Sequence, residues 1–430
     1  MHMTNRIARR DALAAIGATG VGALGASAGC LSRLTGANVD LPTTATAQFR
    51  GGLERRGVYP SATVPDTVER AWARRDLNTG EHTAAKASPV PVGDGTSDAG
   101  GVGDGSDLLV PGDAGVLWRV TPDGERVWET TVTSASRGIH GTPAVAGELA
   151  FVGAYDGVLS AYDVATGDAV WRTDLGDAIG SSPAYHDDVV YIAVEYNDPS
   201  GAMFGVDATN GDVVWEDQRI TDHPHSTCAI DRDAGRLVVG SNDGFLYAWT
   251  YPGLEFEWRF ETGNAIKGPV AIADGSAFFG SWDAHVYRVA LADGSEEWAT
   301  ATNDLVMSGP SVEPETGTVY VGSHDHNLYA LEIDSGDVRW RYDAGSGENR
   351  IVGCPTVTSE HVLAGSYDQT LHAVSKADGE RVWTAAGVGR VTSTPRVVDG
   401  AVYFADRASE AYIEDGTGKS GALYRLDGDA

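Results

Sequence analysis

Apolar residues in this chain come in short bursts separated by turn residues, and the bursts recur as a set. Each set opens on a small residue and, in most copies, a proline before a short apolar run: "ASPVPV", "GTPAVA", "SSPAYH", "STCAID", "KGPVAI", "SGPSVE", "GCPTVT" and "STPRVV". A second run ending in glycine follows, as in "LAFVG", "RLVVG", "SAFFG", "TVYVG" and "HVLAG", and then a third such as "VLSAYD", "FLYAWT" or "LYALEI". Most sets close on a turn with glycine four residues ahead of tryptophan: Gly167 and Trp171, Gly211 and Trp215, Gly294 and Trp298, Gly336 and Trp340, Gly379 and Trp383. Short apolar runs bounded by Gly, Pro and Asp read as strands, so each set predicts four of them.

Trp128, Trp171, Trp215, Trp258, Trp298, Trp340 and Trp383 stand 43, 44, 43, 40, 42 and 43 residues apart. A period of that size marks a repeat whose units must be buried against one another, because a lone four-stranded sheet cannot cover both its faces. Eight openings, each with four strands, predict an all-β fold: an eight-bladed β-propeller of four-stranded blades over residues 66–430. The chain ends on "GALYRLDGDA", a third strand with no fourth, while "TVERAWARRDL" places Trp72 ahead of the first opening. That N-terminal strand is expected to complete the last blade and close the ring. Each repeated tryptophan, Trp72 included, is expected to wedge between blades; about 200 Å² of burial at about 25 cal/mol/Å² sets an upper bound near 5 kcal/mol apiece.

The turns "AYDVATGDAVW", "ALEIDSGDVRW" and "AVSKADGERVW" resemble the A-x-D-x-x-x-G-x-x-x-W docking motif of propellers built from pyrroloquinoline-quinone-type repeats. The resemblance implies the propeller scaffold over most of the chain and two possible functions. One is that of the small lipid-anchored propellers of the outer-membrane assembly factor BamB type, which bind without turnover. The alternative is a quinone-dependent (quinoprotein) dehydrogenase of an alcohol or sugar, with pyrroloquinoline quinone and calcium. Such dehydrogenases carry a vicinal Cys-Cys disulfide, a metal held by Glu, Asn and Asp, and a catalytic Asp. None of these can be placed here: Cys228 and Cys354 belong to different repeats. No cofactor, no catalytic residue and no metal site is therefore expected, and the first reading is preferred.

Acidic residues outnumber basic ones 61 to 31, for a net charge of −30, which argues against nucleic acid as a partner. The surplus is scattered through turns, as in a surface adapted to concentrated salt. Residues 1–29, with adjacent Arg9 and Arg10 ahead of an apolar stretch ending "SAGC", have the layout of a twin-arginine export signal with a lipobox. Cys30 would be the lipid-bearing residue, and 30–65 a flexible tether and entry segment. These features predict an exported monomer held to the outer face of the cell membrane by lipid alone, or else secreted.

Chemistry is expected on the face that carries the inter-blade loops and the hairpins joining second to third strands. Loop residues Arg137, His140, His223, His225, Lys267, Arg350 and Arg390 gather positive and imidazole groups at the channel mouth. They suggest an anionic ligand or an acidic segment of a protein. The hairpin aspartates Asp156, Asp243, Asp283, Asp325 and Asp368 read as turn residues rather than calcium ligands, and Trp282 and Tyr367 are the aromatics expected on this face. Insertions at "EYNDPSGAMFG" and "DRASEAYIEDGTGKSG" extend it.

Overall fold

A computed structural model describes residues 40–78, 87–92, 106–345, 347, 349–407 and 420–428. Arg9, Arg10, Cys30, the rest of the leader and most of the second insertion lie outside the described residues. The strands form eight antiparallel four-stranded sheets. Seven are built from consecutive strands, for example Ser311–Glu313, Thr318–Gly322, Asn327–Glu332 and Val338–Asp343. The eighth joins Arg396–Val398, Ala401–Ala405 and Gly421–Gly428 to Val68–Asn78, with Trp72 opposite Arg425. The ring is an eight-bladed propeller, closed by the strand that precedes the first complete blade.

Burial follows from position in the blade. Second strands such as Leu149–Gly153 and Thr318–Gly322 are buried throughout, because blades stack on both of their faces. Outer strands alternate instead: in Glu296–Ala301, Trp298 is buried between exposed Glu297 and Ala299. The tryptophan ring reaches into the next blade and donates Nε1–H to a carbonyl there. Trp72 bonds Pro122, Trp128 Val164, Trp171 Ala208, Trp258 Leu291, Trp298 Ile333, Trp340 Lys376 and Trp383 Pro65, at 2.8–3.1 Å. Trp215 packs edge-on against Trp249 of the next blade, with centroids 5.9 Å apart. The turn glycine lies beneath the ring of the preceding blade: a Cβ on Gly167 (φ 78°) would stand 2.8 Å from the Trp128 ring, and one on Gly294 2.7 Å from Trp258.

Residues 40–65 depart from the expected tether. This stretch runs around the axis against the inner strands of blades 2 to 7. Ala47 exchanges backbone hydrogen bonds with Val145 (2.7 and 3.3 Å), and the carbonyls of Leu53, Glu54, Arg56 and Gly57 accept from Ile230, Ile272, Val312 and Val357 at 2.7–3.0 Å. Arg55, wholly buried, donates to the carbonyls of Phe49 (2.8 Å), Pro183 (3.0 Å) and Cys228 (3.2 Å). The segment closes the channel because inner strands otherwise leave backbone N–H groups facing an empty axis, and its own carbonyls answer them.

Candidate binding face

Around the channel mouth the blades are joined by a girdle of short hydrogen bonds. The N–H of Ser88 donates to Thr142 Oγ1 (2.9 Å), Thr142 N–H to Ser182 Oγ (2.9 Å), Ser182 N–H to Thr227 Oγ1 (3.1 Å), Gly309 N–H to Cys354 Sγ (3.3 Å) and Thr394 N–H to Ser88 Oγ (3.0 Å). These side chains occupy one register, just ahead of the opening proline, and so turn toward the axis. Above them each second hairpin is tied to the loop entering its own blade. Tyr155 N–H donates to Gly138 O, Glu195 to Ala178, Asn242 to His223, Trp282 to Ala265, His324 to Leu305, Tyr367 to Arg350 and Arg407 to Arg390, at 2.8–3.1 Å.

Three loop cations, and Arg407 of the last hairpin, lie over hairpin aromatics. Arg137 lies 5.5 Å from the Tyr155 centroid, Lys267 Nζ 3.9 Å from Trp282, Arg390 4.6 Å and Arg407 5.3 Å from Tyr367. Such pairs are worth about 0.5–2 kcal/mol, and they hold the positive heads at the mouth rather than free in solvent. Burial lowers the Lys267 pKa, opposed by the charges of Asp222 and Glu195. The hairpin aspartates brace their turns: Asp325 accepts from the N–H groups of Asn303 (3.0 Å) and Asn327 (3.1 Å) and from Tyr329 Oη (2.5 Å). Burial pushes the Asp325 carboxyl up, but those bonds outweigh it and the pKa lies below its ordinary value.

The loop residues singled out from sequence fall into two arcs. His140, His225 and Lys267 line the central space with Phe49 and Cys354; Arg137, His223 and His225 line a groove of about 340 Å³ beside it with Tyr155 and Glu195. Within this arc the buried Glu195 holds His225, Oε1 to Nδ1 at 2.9 Å, and its charge adds to burial in raising the Tyr155 pKa. On the other side, Arg350 and Arg390 flank His324 and Tyr367. Burial first, and then the Arg350 charge, hold the His324 pKa at about 4. Sequence reasoning missed Tyr155, Glu195, His324 and Arg407; all four stand at or beside the hairpin position that also carries Trp282 and Tyr367, and that shared register is the signal that finds them.

A family model described as outer membrane protein assembly factor BamB matches residues 61–300 and 300–429. The chain belongs to this family of propellers. BamB of Yersinia pestis is 22% identical over 316 residues, covering 67% of this chain and 77% of that protein. A polyvinylalcohol dehydrogenase from a Pseudomonas species is 25% identical over 247 residues, half of this chain, and the match spans only 36% of that enzyme. The crystal structure of a quinohemoprotein alcohol dehydrogenase from Comamonas testosteroni has a TM-score of 0.70 at 15% identity over 89% of this chain and 80% of that one, a likeness of fold.

The central space of this BamB-family channel is too small to enclose a quinone cofactor. The central space is about 40 Å³, against several hundred for a site that encloses a ligand of that size. Phe49 lines it, and Arg55 and the wound segment fill the channel below. Among the described residues no group of three His, Cys, Asp or Glu is placed to hold a metal ion, and Cys228 and Cys354 are both free thiols.

Proposed function

We propose that this chain is a non-enzymatic binding scaffold, and that its loop face holds an acidic segment of a partner protein. The observation that carries the reading is the set of cations pinned over hairpin aromatics, Lys267 on Trp282, Arg137 on Tyr155 and Arg390 on Tyr367, above a channel closed by the chain itself. On a surface otherwise strongly acidic, such a mouth attracts carboxylates where the rest of the molecule repels them. The family's description as an assembly factor supports a protein as the partner. Export through Arg9 and Arg10 and lipid anchoring at Cys30, at the cell surface, belong to the same proposal.

The test is fluorescence anisotropy with a labelled peptide of alternating Asp and Gly, and a Ser-Gly peptide as control. The acidic peptide binds the wild-type chain at low salt, and replacing Lys267 and Arg350 together with alanine weakens it by about tenfold, equivalent to about 1.4 kcal/mol. Unchanged affinity in the double variant, or equal binding of the Ser-Gly peptide, overturns the reading.

A further inference from the structure

The two described cysteines stand one residue apart in the register of their openings, and extended backbone turns successive side chains to opposite sides. Cys228 takes the place of the opening proline in "STCAID" and faces into the blade, fully buried, 3.9 Å from the Tyr191 carbonyl. Cys354 precedes the proline in "GCPTVT" and faces the axis, where Thr142, Ser182, Thr227 and Thr394 place hydroxyls. It is the thiol in a girdle of hydroxyls, it accepts the Gly309 N–H, and it lines the small central space.

Arg50, from the wound segment, approaches Cys354 from a neighbouring space that it lines with Tyr59 and Arg396. The guanidinium is buried; Nη2 donates to the Pro310 carbonyl (2.5 Å) and Ser311 Oγ (2.6 Å), while Nε and Nη1 have no hydrogen-bond partner. Nη1 lies against Gly309, close enough that a Cβ on that glycine would stand 2.6 Å from it. Burial lowers the Arg50 pKa, and Cys354 is first among the groups that offset this. A buried cation with two unanswered donors beside a reachable sulfur is a cradle for an anion formed on that sulfur.

We propose that Cys354 is an oxidation site for peroxide, and that Arg50 holds the resulting sulfenate. The sulfur attacks one oxygen of hydrogen peroxide, the S–O bond forms as the O–O bond breaks, and the departing hydroxide leaves as water with the thiol proton; the sulfenic acid so formed gives up its own proton to solvent and becomes the sulfenate beside Arg50. Sulfur loses two electrons and peroxide gains them. The central space, about 40 Å³, admits a molecule the size of one or two waters and excludes bulky disulfides.

The test treats the folded full chain with hydrogen peroxide and dimedone, then follows tryptic peptides 351–376 and 220–232 by mass spectrometry. The Cys354 peptide takes up the label at least about tenfold faster than the Cys228 peptide, and the two rates converge in denaturant. Equal rates in the folded chain, or an unlabelled Cys354, overturn the proposal without any variant. Arg50→Gln slows labelling about tenfold and Arg50→Lys restores most of it. If folded Arg50→Gln reacts as fast as wild type, the guanidinium has no part. A bulky aromatic disulfide that reacts with Cys354 in the folded chain contradicts the size limit.

Discussion

Arg55 is the place where the closed channel can be weighed. Replacing it with methionine keeps most of the volume, and the left-handed backbone at this position (φ 56°) strains both residues alike, so the hydrogen bonds are what changes. Three buried carbonyls, of Phe49, Pro183 and Cys228, lose their donor. Each costs about 1–3 kcal/mol when left unmet. Against this, the charge no longer has to be buried: burial drops the Arg55 pKa to about 10, which is worth on the order of 3 kcal/mol. At about 2 kcal/mol per carbonyl, the middle of that range, the balance is a destabilisation of about 3 kcal/mol. Equilibrium unfolding in urea at fixed salt, followed by tryptophan emission, measures it. A variant as stable as wild type, or more so, would show that burying the charge costs at least what the three bonds contribute, and the closure would have to rest on backbone bonds alone.

His324 makes the fold sensitive to mild acid. The unfolded chain takes up a proton near the ordinary imidazole pKa of about 6.5, whereas the folded chain refuses it until about pH 4. Stability therefore falls as pH drops through that window, by about 1–2 kcal/mol once solvent at the mouth is allowed for. His324→Gln should flatten this part of the stability–pH curve, and an unchanged slope would refute the assignment. Gly180→Ala places a Cβ 2.7 Å from both Glu195 Oε1 and His225 Nδ1, so it should part that pair and cost about 1–3 kcal/mol. Loss of the His225 Nδ1–H resonance together with a lower unfolding midpoint checks it.

The ring was legible because its cause is periodic: one tryptophan per unit, one proline per opening, and a stray Trp72 that only a shared last blade could employ. What the period could not show is across which boundary a contact forms. Gly167 pairs in sequence with Trp171 but in space with Trp128, because the turn of one blade receives the ring of the blade before it. The closing segment was invisible for a different reason. It binds through carbonyls as it crosses six inner strands, so its side chains follow no alternation, and it resembles a linker in composition. On the loop face, His140, His225 and Lys267 line one central space, and Arg137 and His223 join His225 in the groove beside it. Glu195 and Arg407 were hidden by the two insertions, which blur the hairpin register there. Cys354 was read like Cys228 because a shift of one residue, not a difference of residue type, separates the two.

The pairing of Val68–Asn78 with Gly421–Gly428 also sets a timetable for the growing chain. At about 5–20 residues per second, some 20–70 s pass between synthesis of the first strand and arrival of its partner. Through that interval an eleven-residue strand waits with its backbone donors and acceptors unanswered, the situation in which neighbouring nascent chains join edge to edge. Glu69, Arg70, Arg74 and Arg75 crowd it with charge, which discourages such premature pairing until the last strand emerges.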